Sequence, residues 1–234
     1  MLGIIKKFND FGLMGINKRN AGYTLAYNPR KFYPRVDDKL LTKELAIEAG
    51  LAVPALYGVI ESVGQLKGLS GLLNQYSDFV IKPAQGSGGD GILVVSEKFD
   101  QDWKTVSGQL INLCEIEQHI NNTLSGIYSL GGMADKAMIE YRVLFDPLFQ
   151  NISYQGVPDV RIIVFQGIPV MGMVRLPTRL SGGKANLHQG AIGVGVNLAT
   201  GETLTGVHNN KIVTHHPDTR NPITGVKNLN GINY

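Results

Sequence analysis

The sequence predicts an α+β fold, because helical patterns and strands alternate in its first half and strand pairs dominate its second half. The clearest strand pair occupies residues 78–96, where two apolar, β-branched runs flank four closely spaced glycines. A second strand pair is predicted at 159–175, with Gln166 and Gly167 as its turn. The chain has 234 residues, of which 43% are hydrophobic and 18% charged, so it is long enough for one large domain or two small ones.

The remaining elements follow in chain order. Residues 37–50 predict a helix, because Asp37 or Asp38 can cap its first turn, while Gly50 and Pro54 end it. Further helices are predicted at 65–75 and from residue 115, and further strands at 56–61, 137–145, 191–198 and 203–208. Residues 209–234 are polar and contain several prolines and glycines, which predicts a loop or frayed tail.

The glycine-rich segment after Lys82 predicts an anion-binding loop. Glycines adopt positive φ and leave successive N–H groups free to bind phosphate, and Lys82 adds a positive charge. The spacing Gly86-x-Gly88-x-x-Gly91 does not open a helix, as a dinucleotide-binding fingerprint requires. The lysine precedes the glycines, whereas it follows them in Walker loops and in protein kinases. An ordinary glycine-rich hairpin turn is the alternative.

Composition limits the classes of protein. No apolar run is long enough to span a bilayer and no signal-peptide pattern opens the chain, so we expect a cytoplasmic protein without direct membrane insertion. The single cysteine, Cys114, cannot form an internal disulfide, and we expect it to be a buried small hydrophobic residue.

Residues 1–35, called the N-terminal arm from here on, carry most of the positive charge. They hold seven Lys and Arg residues and one acid, for a net charge of +6, whereas the whole chain has +3. Six aromatic residues lie among these charges. Such an arm can bind nucleic acid or an acidic surface. Without a nucleic-acid-binding motif, we expect no nucleic-acid partner, and we expect the aromatic residues to anchor the arm on the domain.

Several long motifs together resemble a known superfamily. They are RNAGYTLAYNPRKFYPRVDDKLLTK, DFVIKPAQGSGGDGI, AMIEYRVLFDP, GVPDVRIIVF, VRLPTRLSGGKANLHQGA and THHPDT. In this order they resemble the ATP-grasp carboxylate–amine ligases, and among these the alpha-L-glutamate ligase-related family, which is similar to the ribosomal-protein glutamate ligases. The resemblance implies an ATP-grasp fold, in which two α/β subdomains clasp ATP. It divides the chain into the N-terminal arm, a first subdomain at 36–135, an incomplete second subdomain at 136–208 and a tail at 209–234.

The resemblance also implies which residues bind the nucleotide. Lys39 and Lys82 resemble the two lysines that reach the α and β phosphates. Glu140 resembles the acceptor for the exocyclic amine of adenine, with Tyr141 in the same hinge. The loop that covers the β and γ phosphates would comprise Gln85, Gly86, Ser87, Gly88, Gly89 and Gly91. From the sequence alone, Lys39 can equally be a solvated residue at the start of a helix.

The same resemblance implies an acyl-phosphate reaction. Arg161, Arg175 and Asn186 resemble the residues near the γ-phosphate and the acyl group. Such ligases convert a carboxylate into an acyl phosphate with ATP, and an amine acceptor of unknown identity then attacks. The resemblance implies glutamate as the carboxylate substrate. Both steps redistribute negative charge, which fixed cations and hydrogen-bond donors stabilise. Asp159 and Arg161 share one face of a strand, so a simple pair between them is the alternative role.

One part of the family pattern is missing. ATP-grasp ligases hold magnesium with a carboxylate and a following Glu-x-Asn, yet after Arg161 the only acids are Glu202 and Asp218. The resemblance therefore implies a chain truncated before the last core strands and helix, without magnesium ligands. We expect such a chain to be inactive alone as a ligase. The alternative function is a non-catalytic, nucleotide-binding ATP-grasp remnant.

Overall fold

The computed structural model of the chain describes residues 2–86, 88–144, 147–150 and 152–227. The chain forms α-helices and two antiparallel sheets, which confirms the predicted α+β class. Contacts divide the chain into two compact units. The first unit comprises Met1–Ser87 and Gly91–Tyr141, and the second comprises Gly88–Asp90 and Arg142–Tyr234. The four-part division expected from the resemblance remains a prediction.

The first unit contains a six-stranded sheet in which all neighbouring strands are antiparallel. The strand order is β1-β6-β2-β3-β4-β5. The strands are β1 (Leu56–Ile60), β2 (Phe79–Pro83), β3 (Leu93–Phe99), β4 (Asp102–Thr105), β5 (Leu110–Ile111) and β6 (Ala137–Glu140). The predicted pairing of strands around the glycine loop is confirmed, since β2 pairs with β3.

Strand β6 is shorter than the predicted strand at 137–145. It lies between β1 and β2, and Glu140 pairs with Leu56 on one side and Val80 on the other. Little of either neighbouring strand extends beyond Glu140, because Leu56 is the first residue of β1 and only Phe79 of β2 lies beyond Val80. The chain therefore leaves the sheet after Glu140. Strand β6, which the predicted division assigned to the second subdomain, belongs to the first sheet.

Seven α-helices lie within the described part of the first unit. They are α1 (Leu2–Asp10), α2 (Ile16–Arg19), α3 (Leu25–Tyr27), α4 (Pro34–Asp37), α5 (Lys39–Glu48), α6 (Leu69–Leu73) and α7 (Leu113–Leu124). The predicted cap of α5 is confirmed, because the Asp38 carboxylate accepts hydrogen bonds from the N–H groups of Leu40 and Leu41. Helix α7 begins with a capping box between Asn112 and Glu115.

The core of the first unit lies between one face of this sheet and helices α6 and α7. The Phe79 ring meets the Trp103 ring edge-on, with 6.4 Å between their centroids. Helix α7 contributes Ile116 and Ile120, and both are fully buried. Its first turn instead exposes Cys114, so the expectation of a buried cysteine is wrong.

The second unit contains a five-stranded antiparallel meander with the order β11-β10-β9-β8-β7. Its strands are β7 (Asp159–Phe165), β8 (Ile168–Leu176), β9 (Ile192–Val196), β10 (Thr203–His208) and β11 (Lys211–Val213). Alternate residues of β8 and β9 build a core on one face, with Val174 and Leu176 beside Ile192 and Val194. The predicted hairpin at 159–175 is confirmed.

The segment after residue 208 is not the expected loop or frayed tail. Asn209 and Asn210 both have positive φ, which suits a two-residue hairpin turn, and the chain returns as β11. Farther on, Ile223 is fully buried in the core of the second unit. Val226 donates its N–H to the Thr203 hydroxyl and accepts the Thr203 N–H. Residues 228–234 lie outside the described residues.

The N-terminal arm also differs from expectation. Among its described side chains none is buried, and only Asn20 and Tyr33 are partly buried. Five of its six aromatic side chains are exposed, so burial of these rings against the domain is not observed. No helix among the described residues combines the length and apolar character that crossing a membrane requires.

Substitution of Ile223 tests whether the segment after β11 is part of the core. We expect Ile223→Ala to lower the free energy of unfolding by about 2–5 kcal/mol, because it leaves a cavity among packed side chains. The matched control is Ile212→Ala on β11, where the side chain is 78% exposed, and its effect should stay within about 0.5 kcal/mol. Urea unfolding of both variants makes the comparison. Equal effects would contradict the burial of Ile223.

Candidate functional site

In the first unit, Lys82 lies on strand β2 directly before the glycine loop. Its ammonium group forms an ion pair with one oxygen of the Glu140 carboxylate on the neighbouring strand β6. The Lys43 ammonium lies 3.0 Å from the other carboxylate oxygen. The side chains of Lys43 and Glu140 are only 8% and 6% exposed. A buried carboxylate between two lysines thus joins helix α5 to strands β2 and β6.

Lys43 was not predicted as a site residue. It lies four residues after Lys39 on helix α5, so the two side chains occupy one face of the helix. The four-residue spacing from Lys39 is the sequence signal by which Lys43 could have been found. The Lys43 ammonium also donates a hydrogen bond to the backbone carbonyl of Pro54 in the first unit.

Lys39 is directed at the base of the glycine loop. Its ammonium donates to the carbonyl oxygen of Ala84 at 3.2 Å and to that of Gly86. It is partly buried and has defined partners, so it is not a solvated helix-start residue. Burial lowers the pKa of Lys39, and the positive charge of Lys82 lowers it further. The site therefore holds two lysine charges that repel each other, and an anion between them would relieve that repulsion.

Asp135 fixes the first half of the loop and was missed by sequence reasoning. Its buried carboxylate accepts the N–H of Gln85 at 3.0 Å and that of Lys136 at 2.7 Å. It also accepts the Ser129 hydroxyl, and Ser129 forms an isolated β-bridge with Gly86. The contact between Asp135 and Gln85 joins residues fifty positions apart, so local sequence carried no signal for it.

The second half of the loop is fixed at Gly91. This residue has a φ of +74°, and a Cβ placed there would come within 2.5 Å of the Tyr128 ring. The His119 Nε2 lies 2.9 Å from the Gly91 carbonyl oxygen. Burial lowers the pKa of His119, so the neutral ring with Nε2–H donating is favoured.

The apex of the loop groups with the second unit. Gly88 and Gly89 have positive φ of +69° and +84°, and no side chain would fit this backbone without strain. Ser87, a predicted phosphate-loop residue, lies outside the described residues. In the second unit the Asn186 side chain donates to the Gly88 carbonyl at 3.3 Å, and Lys184 lies 3.6 Å from Asp90.

The two predicted arginines share one carboxylate in the second unit. Asp159 pairs with Arg175 across strands β7 and β8, and with Arg161 on its own strand at 3.4 Å. Burial lowers the pKa of Arg175 from its ordinary value. The Arg161 side chain is largely exposed, and its contact with Asp159 is long. Arg161 therefore keeps donors available for another anion.

Glu140 and Tyr141, the predicted adenine hinge, close the first unit. The Tyr141 N–H donates to the Ala55 carbonyl at 2.8 Å, and its side chain is largely open to solvent. The Glu140 carboxylate is engaged by two lysines, as described above. Its role as an acceptor for adenine remains a prediction.

The described residues contain no group of three or more His, Cys, Asp or Glu side chains that could hold a metal ion. His216 is buried, with Nε2 2.9 Å from the Pro177 carbonyl and Nδ1 near two backbone N–H groups. Asp218 accepts the Arg179 N–H at 2.7 Å. These side chains stabilise loops of the second unit.

A family model for sugar-transfer associated ATP-grasp proteins matches residues 18–229, most of the chain. The chain belongs to the sugar-transfer associated ATP-grasp family. Membership confirms the predicted ATP-grasp superfamily and supports a nucleotide-binding or ATP-dependent, ligase-like function. A comparison with proteins of curated function found no match. The narrower resemblance to glutamate ligases remains a prediction.

The pair between Lys43 and Glu140 can be tested by a double-mutant cycle. In this ATP-grasp chain we expect Lys43→Met and Glu140→Gln to be coupled by at least about 1 kcal/mol, because each single change leaves a buried group without its partner. The control is the pair of Lys136 and Glu61, whose side chains are 45% and 53% exposed. Solvent screening should limit its coupling to less than about 1 kcal/mol. Equal coupling in the two cycles would contradict the structural role of Glu140.

His119 predicts a pH dependence of stability. Its pKa in the folded chain lies below the ordinary 6.5, so the unfolded chain binds the proton first as the pH falls. Stability should therefore decrease as the pH drops below about 6.5 and level off below the folded pKa. His119→Gln retains a donor for the Gly91 carbonyl but cannot titrate.

Urea unfolding between about pH 7.5 and pH 5 measures this contribution. The pH dependence should be smaller in His119→Gln than in the parent chain, whereas His188→Gln, at an exposed position, should leave it unchanged. An unchanged pH dependence in His119→Gln would show that His119 contributes none of it.

Proposed function

We propose that the chain is the nucleotide-binding part of an ATP-dependent carboxylate–amine ligase of the glutamate-ligase type. The observation that carries this proposal is the pair Lys39 and Lys82 at the base of the glycine loop in the first unit. Family membership supports ATP as the ligand. The reaction type and glutamate rest on the resemblance of the motifs to glutamate ligases.

The first unit would bind the polyphosphate. Lys39 already donates to two loop carbonyls, and a phosphate oxygen offers its ammonium a stronger, charge-assisted partner. Gly88 and Gly89 leave the loop backbone accessible, because no Cβ covers the N–H groups. Asp135 and His119 anchor the two ends of the loop. The loop can then close over phosphates without losing its base.

The proposed chemistry has two steps. A carboxylate oxygen of the substrate attacks the γ-phosphorus of ATP, the bond from that phosphorus to the β–γ bridging oxygen breaks, and ADP leaves. The amine nitrogen then attacks the acyl carbon, inorganic phosphate leaves, and the nitrogen loses a proton to give the amide. Neither step requires covalent attachment to the protein, so positioning and electrostatic stabilisation are the tasks of the chain.

The second unit would supply the cations for the acyl group. Arg161 is exposed and only weakly tied to Asp159, so its guanidinium can turn toward a carboxylate or an acyl phosphate. Arg175 is held by the same aspartate and is less exposed. We propose Arg161 as the residue that binds the substrate carboxylate, with Arg175 fixing Asp159 and Asn186 holding the loop apex through Gly88.

The alternative function is nucleotide binding without turnover. It rests on the same pair, Lys39 and Lys82, and needs no carboxylate substrate. Phosphoryl transfer in related chemistry uses metal ions to neutralise charge on the β and γ oxygens. Both functions predict ATP binding, and only the first predicts ADP formation that depends on a carboxylate.

Calorimetric titration with a non-hydrolysable ATP analogue tests the nucleotide site, with and without magnesium. We expect Lys39→Met to weaken binding by about tenfold or more, because a charge-assisted hydrogen bond to phosphate is lost. Lys67→Met, at an exposed position of the same unit, is the matched control and should bind as the parent chain does. Equal affinities of the two variants would show that Lys39 does not bind the nucleotide. If the folded parent chain does not bind the analogue, the loop is better interpreted as an ordinary hairpin turn.

A trapping assay separates the two functions. The chain is incubated with ATP, glutamate, magnesium and hydroxylamine, which converts an acyl phosphate into a stable hydroxamate. Formation of hydroxamate and ADP together would support the ligase. Analogue binding without either product would show that this chain binds nucleotide without turnover, as expected if it is inactive alone.

A further inference from the structure

The N-terminal arm combines large exposed apolar side chains with a high positive charge. Nine of its large hydrophobic residues are exposed, and Phe11, at 81%, is the most exposed of them. The nine are Phe8, Phe11, Leu13, Met14, Ile16, Tyr23, Leu25, Tyr27 and Phe32. Isolated apolar residues are common on protein surfaces, but a continuous segment of this kind indicates an interaction site.

The helices of the arm are too short to be stable alone. Helix α1 has nine residues, and the helical stretch from α2 through α3 covers residues 16–27. Isolated helices of this length are marginal in water, and most helical stability comes from packing an apolar face. Among the described side chains of the arm none is buried. A partner that covers the exposed apolar side chains of the arm would therefore stabilise its helices.

The charge of the arm specifies what can cover it. Its seven basic residues face a single acid, Asp10, so its own sequence neutralises little of this charge. Basic and aromatic groups are also in contact, since Lys31 and Arg35 lie 5.0 Å and 4.7 Å from the centre of the Phe32 ring. The covering surface must accept apolar side chains and supply negative charge at the same place.

We propose that the N-terminal arm docks on an anionic lipid surface. Acyl chains and headgroups would bury the phenylalanines and the aliphatic residues, while lysine and arginine reach lipid phosphates at the same depth. Nucleic acid satisfies the charges and can stack on the rings, but it offers nothing to aliphatic side chains such as Leu13, Ile16 and Leu25. The arm lies along the surface and does not cross it.

Co-sedimentation of the 234-residue chain with vesicles tests this proposal. Phosphatidylcholine vesicles that contain phosphatidylglycerol are compared with vesicles of phosphatidylcholine alone. We expect binding to the anionic vesicles only, weakening as salt is added, because screening reduces the attraction of the headgroups. Far-UV circular dichroism should show a gain of helix on binding.

Two pairs of variants separate the apolar and the charged contributions. Phe8→Ser with Phe11→Ser should weaken vesicle binding by at least about tenfold, since two buried rings are lost. Lys18→Gln with Arg19→Gln should weaken it by about 25-fold, because each basic residue near the surface contributes roughly fivefold. The matched controls lie outside the arm: Phe99→Ser with Val106→Ser, and Lys67→Gln with Lys211→Gln, all at exposed positions. The controls should bind as the parent chain does.

Three results would overturn the proposal. One is equal binding to neutral and anionic vesicles, or none to either. Another is vesicle binding that the arm variants and their controls reduce alike. The third is a different partner, shown by dimerisation of the free chain that the phenylalanine variants abolish, or by RNA binding that competes with vesicles at lower concentration. None of these results bears on ATP binding, which the titration measures separately.

Discussion

The Glu140 carboxylate is the interaction on which the first unit depends. It is buried between the ammonium groups of Lys43 and Lys82, and it joins a helix to two central strands. A buried charge without a partner costs several kcal/mol, so each of the three groups stabilises the position of the other two. The same ion pairs also fix a lysine at the start of the glycine loop. Lys82 is held at the point where β2 enters the loop, and its charge acts on Lys39 beside it.

The charge balance of this cluster explains its chemistry. Glu140 neutralises one of its two lysines, and Asp135 is occupied by backbone donors and a hydroxyl group. Lys39 is left with neutral carbonyl partners and a lowered pKa. Lysine ammonium groups at the base of a glycine-rich loop, together with backbone N–H groups of the loop, are suited to binding polyphosphate. The first unit therefore combines lysines that have defined partners with a loop whose two ends are fixed by Asp135 and His119.

Local patterns were sufficient to predict much of the fold. Apolar, β-branched runs placed the strands around the glycine loop and the hairpin at 159–175, and the pair Asp37 and Asp38 placed the start of α5. Contacts between distant residues were not predictable in this way. Asp135 meets Gln85 across fifty positions, and Ile223 enters a core built by β8 and β9. The short β6 ends because its two neighbours end, which its own apolar run cannot show.

The second unit also contains one carboxylate between two cations, but this carboxylate is more exposed than that of the lysine cluster. One carboxylate, Asp159, lies between two cations, Arg161 and Arg175, as Glu140 lies between Lys43 and Lys82. The lysine cluster is buried and its geometry is fixed, whereas Arg161 is largely exposed and weakly held. Each of these two clusters thus contains two cations and one carboxylate. A rigid lysine cluster suits a polyphosphate of fixed shape, whereas an exposed and weakly held arginine adapts to carboxylates of different shape.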